Sequence, residues 1–183
     1  MSQLRTLPIR LHHHAYTTVD HEETRKFHED VLGLPRKAMW IERERIDGED
    51  VDLGHAFYAL GDGNFLEFFN FSYPEKQRAW KAKEQSLFVH ISLLVEQTTP
   101  KEIRRRLLSA GLIPFTMEHG FCHSLCIKDP NGLILEFTVD HEDSASINAE
   151  RASSVHRDLE RWIDGNRNTN NPSSFLMRTQ GSH

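Results

Sequence analysis

Two stretches of this 183-residue chain repeat each other: GDGNFLEFF at 61–69 and DPNGLILEF at 129–137. Each runs from a turn through a short apolar run to Glu and then Phe. An internal repeat constrains the fold more than composition does, because each copy is one supersecondary unit built to the same plan. The match extends outward. His13 and His90 fall at equivalent places in the first strand of each copy, and Glu67 and Glu136 in the last. The histidines are 77 positions apart and the glutamates 69, so the copies differ by an eight-residue loop adjustment.

Reading along the chain fills in the copies. Residues 9–19 contain LHHHAYTTV, an apolar, β-prone run that reads as a strand although it holds three consecutive histidines. Asp20 is placed to cap a helix over DHEETRKFHEDVLG, with Glu23 three residues on as in a capping box, and Gly33 to end it. Strands follow at 36–44, 55–60 and 64–71, and IDGEDVDLG between the first two reads as a polar loop. SYPEKQRAWKAKEQS, 72–86, is a connector of weak helical character. The order then restarts: a strand at 87–95, a helix at 98–111, and strands at 113–118, 121–128 and 133–140. The expected fold is α+β, two βαβββ repeats whose sheets pair around a concave groove. SASINAERASSVHRDLERWID adds a C-terminal helix with an apolar stripe, Ile147, Ala152, Val155, Leu159 and Trp162. The expected organisation is a first module over 1–71, a connector over 72–86, a second module over 87–142, and a helix and tail over 143–183.

Charge and cysteine content exclude several classes. The net charge is −5 with both signs interspersed, so no basic face for nucleic acid is expected. The densest basic run, RRRL at 104–107, lies within an expected helix and reads as a solvated face. Two cysteines, Cys122 and Cys126, are too few for a disulfide framework and fit a reducing compartment. No segment approaches the roughly 20 apolar residues of a membrane span. MSQLRTLPIR lacks the apolar core of a signal peptide. A cytoplasmic protein is expected. The terminal GSH is set aside as a possible remnant of cloning.

Strand alternation defines the candidate site. His13 shares a face with Leu11, Ala15 and Thr17, and His12 and His14 take the other. His90 aligns with Phe88, Ser92 and Leu94, Glu67 with Phe65, Phe69 and Phe71, and Glu136 with Ile134 and Thr138. A carboxylate in an apolar register is costly unless paired or metal-bound. Two imidazoles and two carboxylates at equivalent places in a duplicated unit therefore point to one divalent metal ion, with positions left open for substrate. His12 and His14 read as packing or surface residues, and His21, His28, His141 and His156 as solvated.

HHHAYTTVDHEETRKFHEDVLGLP, NFLEFF, FVHISLLV and DPNGLILEFT together resemble the vicinal oxygen chelate superfamily: glyoxalase I, extradiol dioxygenases, fosfomycin-resistance enzymes and bleomycin-binding proteins. The resemblance covers roughly residues 9–140. It implies a first ligand seven residues before the capping Asp, which selects His13, and further ligands at His90 and Glu136. Glyoxalase I-like members often place a fourth ligand where this chain has Glu67. Extradiol dioxygenases use three. They also carry a catalytic His where this chain has Asn64, and a Tyr where it has Cys126. Ring cleavage is thus disfavoured.

The leading expectation is a metal-dependent isomerase or lyase acting through a metal-stabilised enediolate on a small oxygen-chelating substrate. By the resemblance Glu136 is its base and Glu67 the counterpart. His119 or His123 would act as acid, base or orienting group. Phe65, Phe69 and Phe121 would wall the pocket, with Asn64 and Tyr58 as further substrate contacts. The ion would be nickel, zinc, iron(II), manganese or cobalt. The alternatives are an iron(II) extradiol-type dioxygenase and a metal-free binding or resistance protein. A homodimer is expected, with no nucleic-acid or membrane partner.

Overall fold

In the computed structural model, which describes residues 10–83, 86, 88–171 and 175–178, both repeats fold to one plan. MSQLRTLPI, Leu87, PSS at 172–174 and the terminal GSH lie outside those residues. The first repeat opens with β1 (His13–Thr17). Asp20 then caps α1 (His21–Arg25), its carboxylate accepting from the backbone N–H of Glu22 at 2.8 Å and Glu23 at 3.1 Å. Such a cap contributes about 1 kcal/mol. Glu23 pairs with Lys26 at 2.9 Å, an ordinary i,i+3 helix pair. The helix continues as a π turn (Lys26–Val31), and Gly33 ends it at φ 81°, a left-handed value that suits glycine.

Strands β2 (Arg36–Ile46), β3 (Glu49–Ala59) and β4 (Phe65–Phe71) complete this sheet, and α2 (Pro74–Trp80) follows. One expectation fails here. IDGEDVDLG is no loop: Asp47 and Gly48 form a tight hairpin turn with φ 53° and 85°, and β3 starts directly after it. Consecutive positive φ values at Asp-Gly match the twist of a two-residue hairpin. The acidic residues belong to a strand pattern: Val51 and Leu53 alternate with Asp50 and Asp52 and are both buried.

The second repeat runs β5 (His90–Leu94), α3 (Thr99–Ser109), β6 (Phe115–Glu118), β7 (Cys122–Lys128) and β8 (Ile134–Asp140), followed by α4 (Ser144–Ile163) and β9 (Phe175–Arg178). The sheet orders are β1-β4-β3-β2 and β5-β8-β7-β6-β9. In each, the first strand of the repeat lies parallel to the last, and the other neighbours are antiparallel. The α+β class, the two βαβββ repeats and the C-terminal helix are all present. No helix among the described residues is long and apolar enough to cross a membrane.

The chain forms two compact units, Met1–Glu84 with Asp129–Gly132, and Gln85–Lys128 with Leu133–His183. In the first, Phe27, Ala56, Tyr58, Leu66 and Phe68 are buried, and the His28 ring packs on Tyr58 and Phe68 at 5.1 and 4.7 Å. In the second, Ile103 and Leu107 of α3 are buried together with Ile91, Leu125, Ile127, Leu135 and Phe137 of the sheet. The opposite sheet face holds a smaller cluster of Met117, Cys126 and Ile134, with Phe115 against it.

Candidate functional site

The parallel pairing of first and last strands brings the expected ligands together within each unit. In the first, Ala15 lies opposite Glu67, so His13, two residues earlier and on the same face, reaches the carboxylate. In the second, Ser92 lies opposite Glu136, and His90 is again two residues earlier. The register is identical in both copies. His13 Nδ1 is 3.8 Å from Glu67 Oε1, and His90 Nε2 is 3.1 Å from Glu136 Oε2. Both glutamates are buried, at 5% and 3% exposure, and an unpartnered carboxylate would not be tolerated at that depth.

A second histidine meets each carboxylate. His119, in the turn after β6, places Nε2 2.9 Å from Glu136 Oε1. Burial alone would raise the Glu136 carboxyl, but hydrogen bonds from His119 and Ser124, with His90 close by, hold it below the ordinary value. It is therefore ionised at neutral pH. On Glu67 the matching part falls to His55 of β3, whose Nε2 is 3.1 Å from Oε2 while its Nδ1 is 3.2 Å from Glu42 of β2. Sequence reading passed over His55. Its signal lay in the hairpin register, since counting back from the turn at 61–63 puts Phe57 opposite Glu67 and His55 on the same face.

The other expected site residues divide between the two faces. Phe69 stacks on His55 at 3.8 Å and Phe65 meets Phe57 edge-on at 5.7 Å, so both belong to the Glu67 face. Phe121 is 6.1 Å from His119 and 40% exposed. Tyr58 is paired with Leu66 and buried on the helix side, away from Glu67. Burial pushes its phenol up to about 12, so it stays neutral. Asn64 is bound into the turn by Asp62 and Arg10. His123 alternates with Cys122 and Ser124 and so faces α3, where it meets His141 at 5.7 Å, rather than Glu136. Alternation also separates the triplet as expected. The exposed His12 touches His13, Nδ1 to Nδ1, at 2.8 Å, and His14 stacks on Tyr16. His28 departs from expectation: it is fully buried.

Cys122 and Cys126 are both buried and free. Burial pushes their thiols up to about 11 and about 12, which leaves them unreactive at neutral pH. As for a metal, no group of three or more His, Cys, Asp or Glu among the described residues is arranged to hold one. The donor chemistry nevertheless fits. Each unit supplies one imidazole and one buried carboxylate, the mixed nitrogen and oxygen set that divalent transition ions accept.

No protein-family model and no curated protein sequence matches the chain. Solved structures do. A glyoxylase/bleomycin resistance protein/dioxygenase domain from Frankia sp. EAN1pec superposes with a TM-score of 0.55 at 21% identity, over 74% of this chain and 100% of that one. A genomically encoded fosfomycin resistance protein from Listeria monocytogenes gives 0.52 at 13% identity, over 75% and 98%. An oxidase, ChaP-H2, gives 0.51 at 18%, over 74% and 96%. The shared feature is the fold.

Proposed function

We propose that this chain, with its vicinal oxygen chelate fold, is a metal-dependent isomerase or lyase of the glyoxalase kind. Its substrate is small and bears two neighbouring oxygens, as an α-hydroxycarbonyl does. His13, Glu67, His90 and Glu136 are the ligands for a divalent ion: nickel, zinc, iron(II), manganese or cobalt. The protein acts in the cytoplasm as a homodimer, in keeping with two free cysteines and an exposed apolar stripe on α4.

When bound, such an ion supplies Lewis-acid polarisation of the paired substrate oxygens. The chain's own groups do the rest. Glu136, buried and ionised, accepts a proton at its carboxylate, and His119 at 2.9 Å from Oε1 orients it and passes the proton on. Phe65 and Phe69 on the Glu67 face, and Phe121 beside His119, supply apolar surface that disfavours water at each carboxylate. The observation that carries the reading is a buried carboxylate beside a strand histidine, repeated at the same strand register in both units.

Proton transfer is favoured over ring cleavage by two features. A buried neutral thiol, Cys126, lies across the strand pair from Glu136, where the ring-cleaving enzymes present a phenol. Glu67 would add a ligand beyond the three of a ring-cleaving enzyme, which would leave less room for dioxygen beside the substrate. Elemental analysis of the purified protein tests the metal. His13→Ala and His90→Ala should each lose it, and His12→Ala should retain it. Loss on His12→Ala with retention on His13→Ala would overturn the ligand assignment. Hemithioacetal isomerisation, run beside an oxygen electrode with a panel of catechols, tests the reaction. Oxygen uptake that survives Glu67→Ala would replace the isomerase with a dioxygenase. An empty site with ligand binding alone would make the chain a binding protein.

A further inference from the structure

His123, which the carboxylate site does not use, opens onto a different feature. On the α3 side of the second unit lies a cleft of about 620 Å³, bounded by the first turns of α3 and by β6 and β7. Ligand pockets span about 300–1,000 Å³, so the space suits a small organic molecule. Lys101 and Arg104 of α3, Thr116 and Glu118 of β6, and His123 and Leu125 of β7 are on its wall. His123 and Leu125 project from the sheet face opposite Cys126 and Glu136, so the cleft is separate from the carboxylate site.

Its charge is unbalanced. Glu118 is the one carboxylate of the lining, and it is already engaged: Oε1 accepts from the Gly120 N–H at 2.9 Å and lies 3.0 Å from His141 Nε2, with His123 also nearby. Arg106 of the same helix pairs with Glu102 at 2.8 Å. Among the described residues Lys101 and Arg104 have no such partner, and His123 has a ring contact but no hydrogen bond. Two cations without an ion-pair partner among the described residues and the His123 imidazole thus line a pocket that also carries the apolar Pro100, Met117 and Leu125.

We propose that this cleft binds a small organic anion, an apolar body bearing one phosphate or carboxylate group. Arg104 and Lys101 take the anionic group, since a guanidinium matches either oxyanion with two parallel hydrogen bonds. His123 and Thr116 supply further polar contacts, and Leu125 packs against the body. The site stands on the second unit alone and is independent of the metal reading.

The test is a backbone-amide NMR titration of the full chain, with chelator present, using phenyl phosphate, benzoate and inorganic phosphate. Phenyl phosphate or benzoate should shift amides around 98–104, 116–118 and 123–125 saturably, with a Kd below about 1 mM. Whichever binds more tightly identifies the anionic group. Arg104→Glu and Lys101→Glu should each weaken binding at least about tenfold. Arg104→Gln, a neutral change on a solvated face, should weaken it with the fold intact, and His90→Ala should leave it unchanged. The proposal is overturned by the absence of saturable shifts with either organic anion up to about 10 mM, by shifts centred on His90 and Glu136, or by undiminished binding in Arg104→Glu. Inorganic phosphate binding as tightly as phenyl phosphate would overturn the apolar half of it.

Discussion

Acidification should destabilise the first unit through one histidine. His28 is fully buried among Phe27, Tyr58 and Phe68, with Nδ1 3.0 Å from the Thr24 carbonyl and no hydrogen bond to Nε2. Its nearest carboxylate, Asp129, is also fully buried, but at 3.8 Å it is too far for a hydrogen bond. Burial lowers the His28 pKa from 6.5 to about 4. Between those values the unfolded chain binds a proton that the folded one does not, so stability falls with pH across that window and the loss levels off below it. At 1.36 kcal/mol per pKa unit, acidifying from about pH 7 to about pH 4.5 should remove roughly 2.5 kcal/mol through His28 alone. Urea unfolding followed by far-UV circular dichroism, at both pH values, measures this beside His28→Phe. The phenyl ring keeps the packing and cannot titrate, so the variant should lose less stability on acidification by that amount. Equal losses in the two proteins would refute the role given to His28.

Three further outcomes follow from packing and capping. Asp20→Ala removes the acceptor for two backbone N–H groups and should cost about 1 kcal/mol in urea unfolding, with Asp20→Asn restoring most of it. Leu107→Ala empties a fully buried position under α3 and should cost about 2–5 kcal/mol, read as a lowered urea midpoint. Deleting 143–183 removes the exposed Leu159, Trp162 and Ile163 of α4, and sedimentation at micromolar concentration should then show a weakened dimer. A monomer with α4 intact would dispose of the dimer.

The fold was legible wherever local chemistry and period agreed. Asp20, Gly33 and the alternating strands around Glu67 and Glu136 each point to one structure, and the repeat fixed the order of elements. Legibility failed at Asp47–Gly48, where a run of acids hid an Asp-Gly hairpin signal and an alternating Val51–Leu53 pair. It failed again at His28. Its spacing on the helix stripe does not reveal that a buried neutral imidazole is tolerated when one nitrogen finds a carbonyl and the ring finds aromatic neighbours. The facing of Tyr58 and His123 was fixed by parity once the hairpin turns were placed. Adjacent positions along a strand take opposite faces, so a polar residue in the right strand still faces away from the site at the wrong parity.

The two buried glutamates are equivalent in sequence and unequal in surroundings, and that inequality bears on their roles. Both lie beside a histidine from the neighbouring parallel strand, because the register there is the same. The second histidine differs. His119 belongs to a turn, with its ring close to the partly exposed Phe121. His55 sits within β3, stacked on Phe69 at 3.8 Å and held by Glu42 as well as Glu67. A neutral imidazole carries one N–H and serves one of two carboxylates at a time, while its charged form serves both. The Glu42–His55–Glu67 chain therefore fixes Glu67 in place. Paired titratable groups in differing environments take differing roles, and under the proposed function Glu67 is assigned as the holder and Glu136 as the base. Glu42→Gln should accordingly weaken metal retention while leaving the proton-transfer step at Glu136 largely intact. A fall in kcat with no change in metal content would reverse the two assignments.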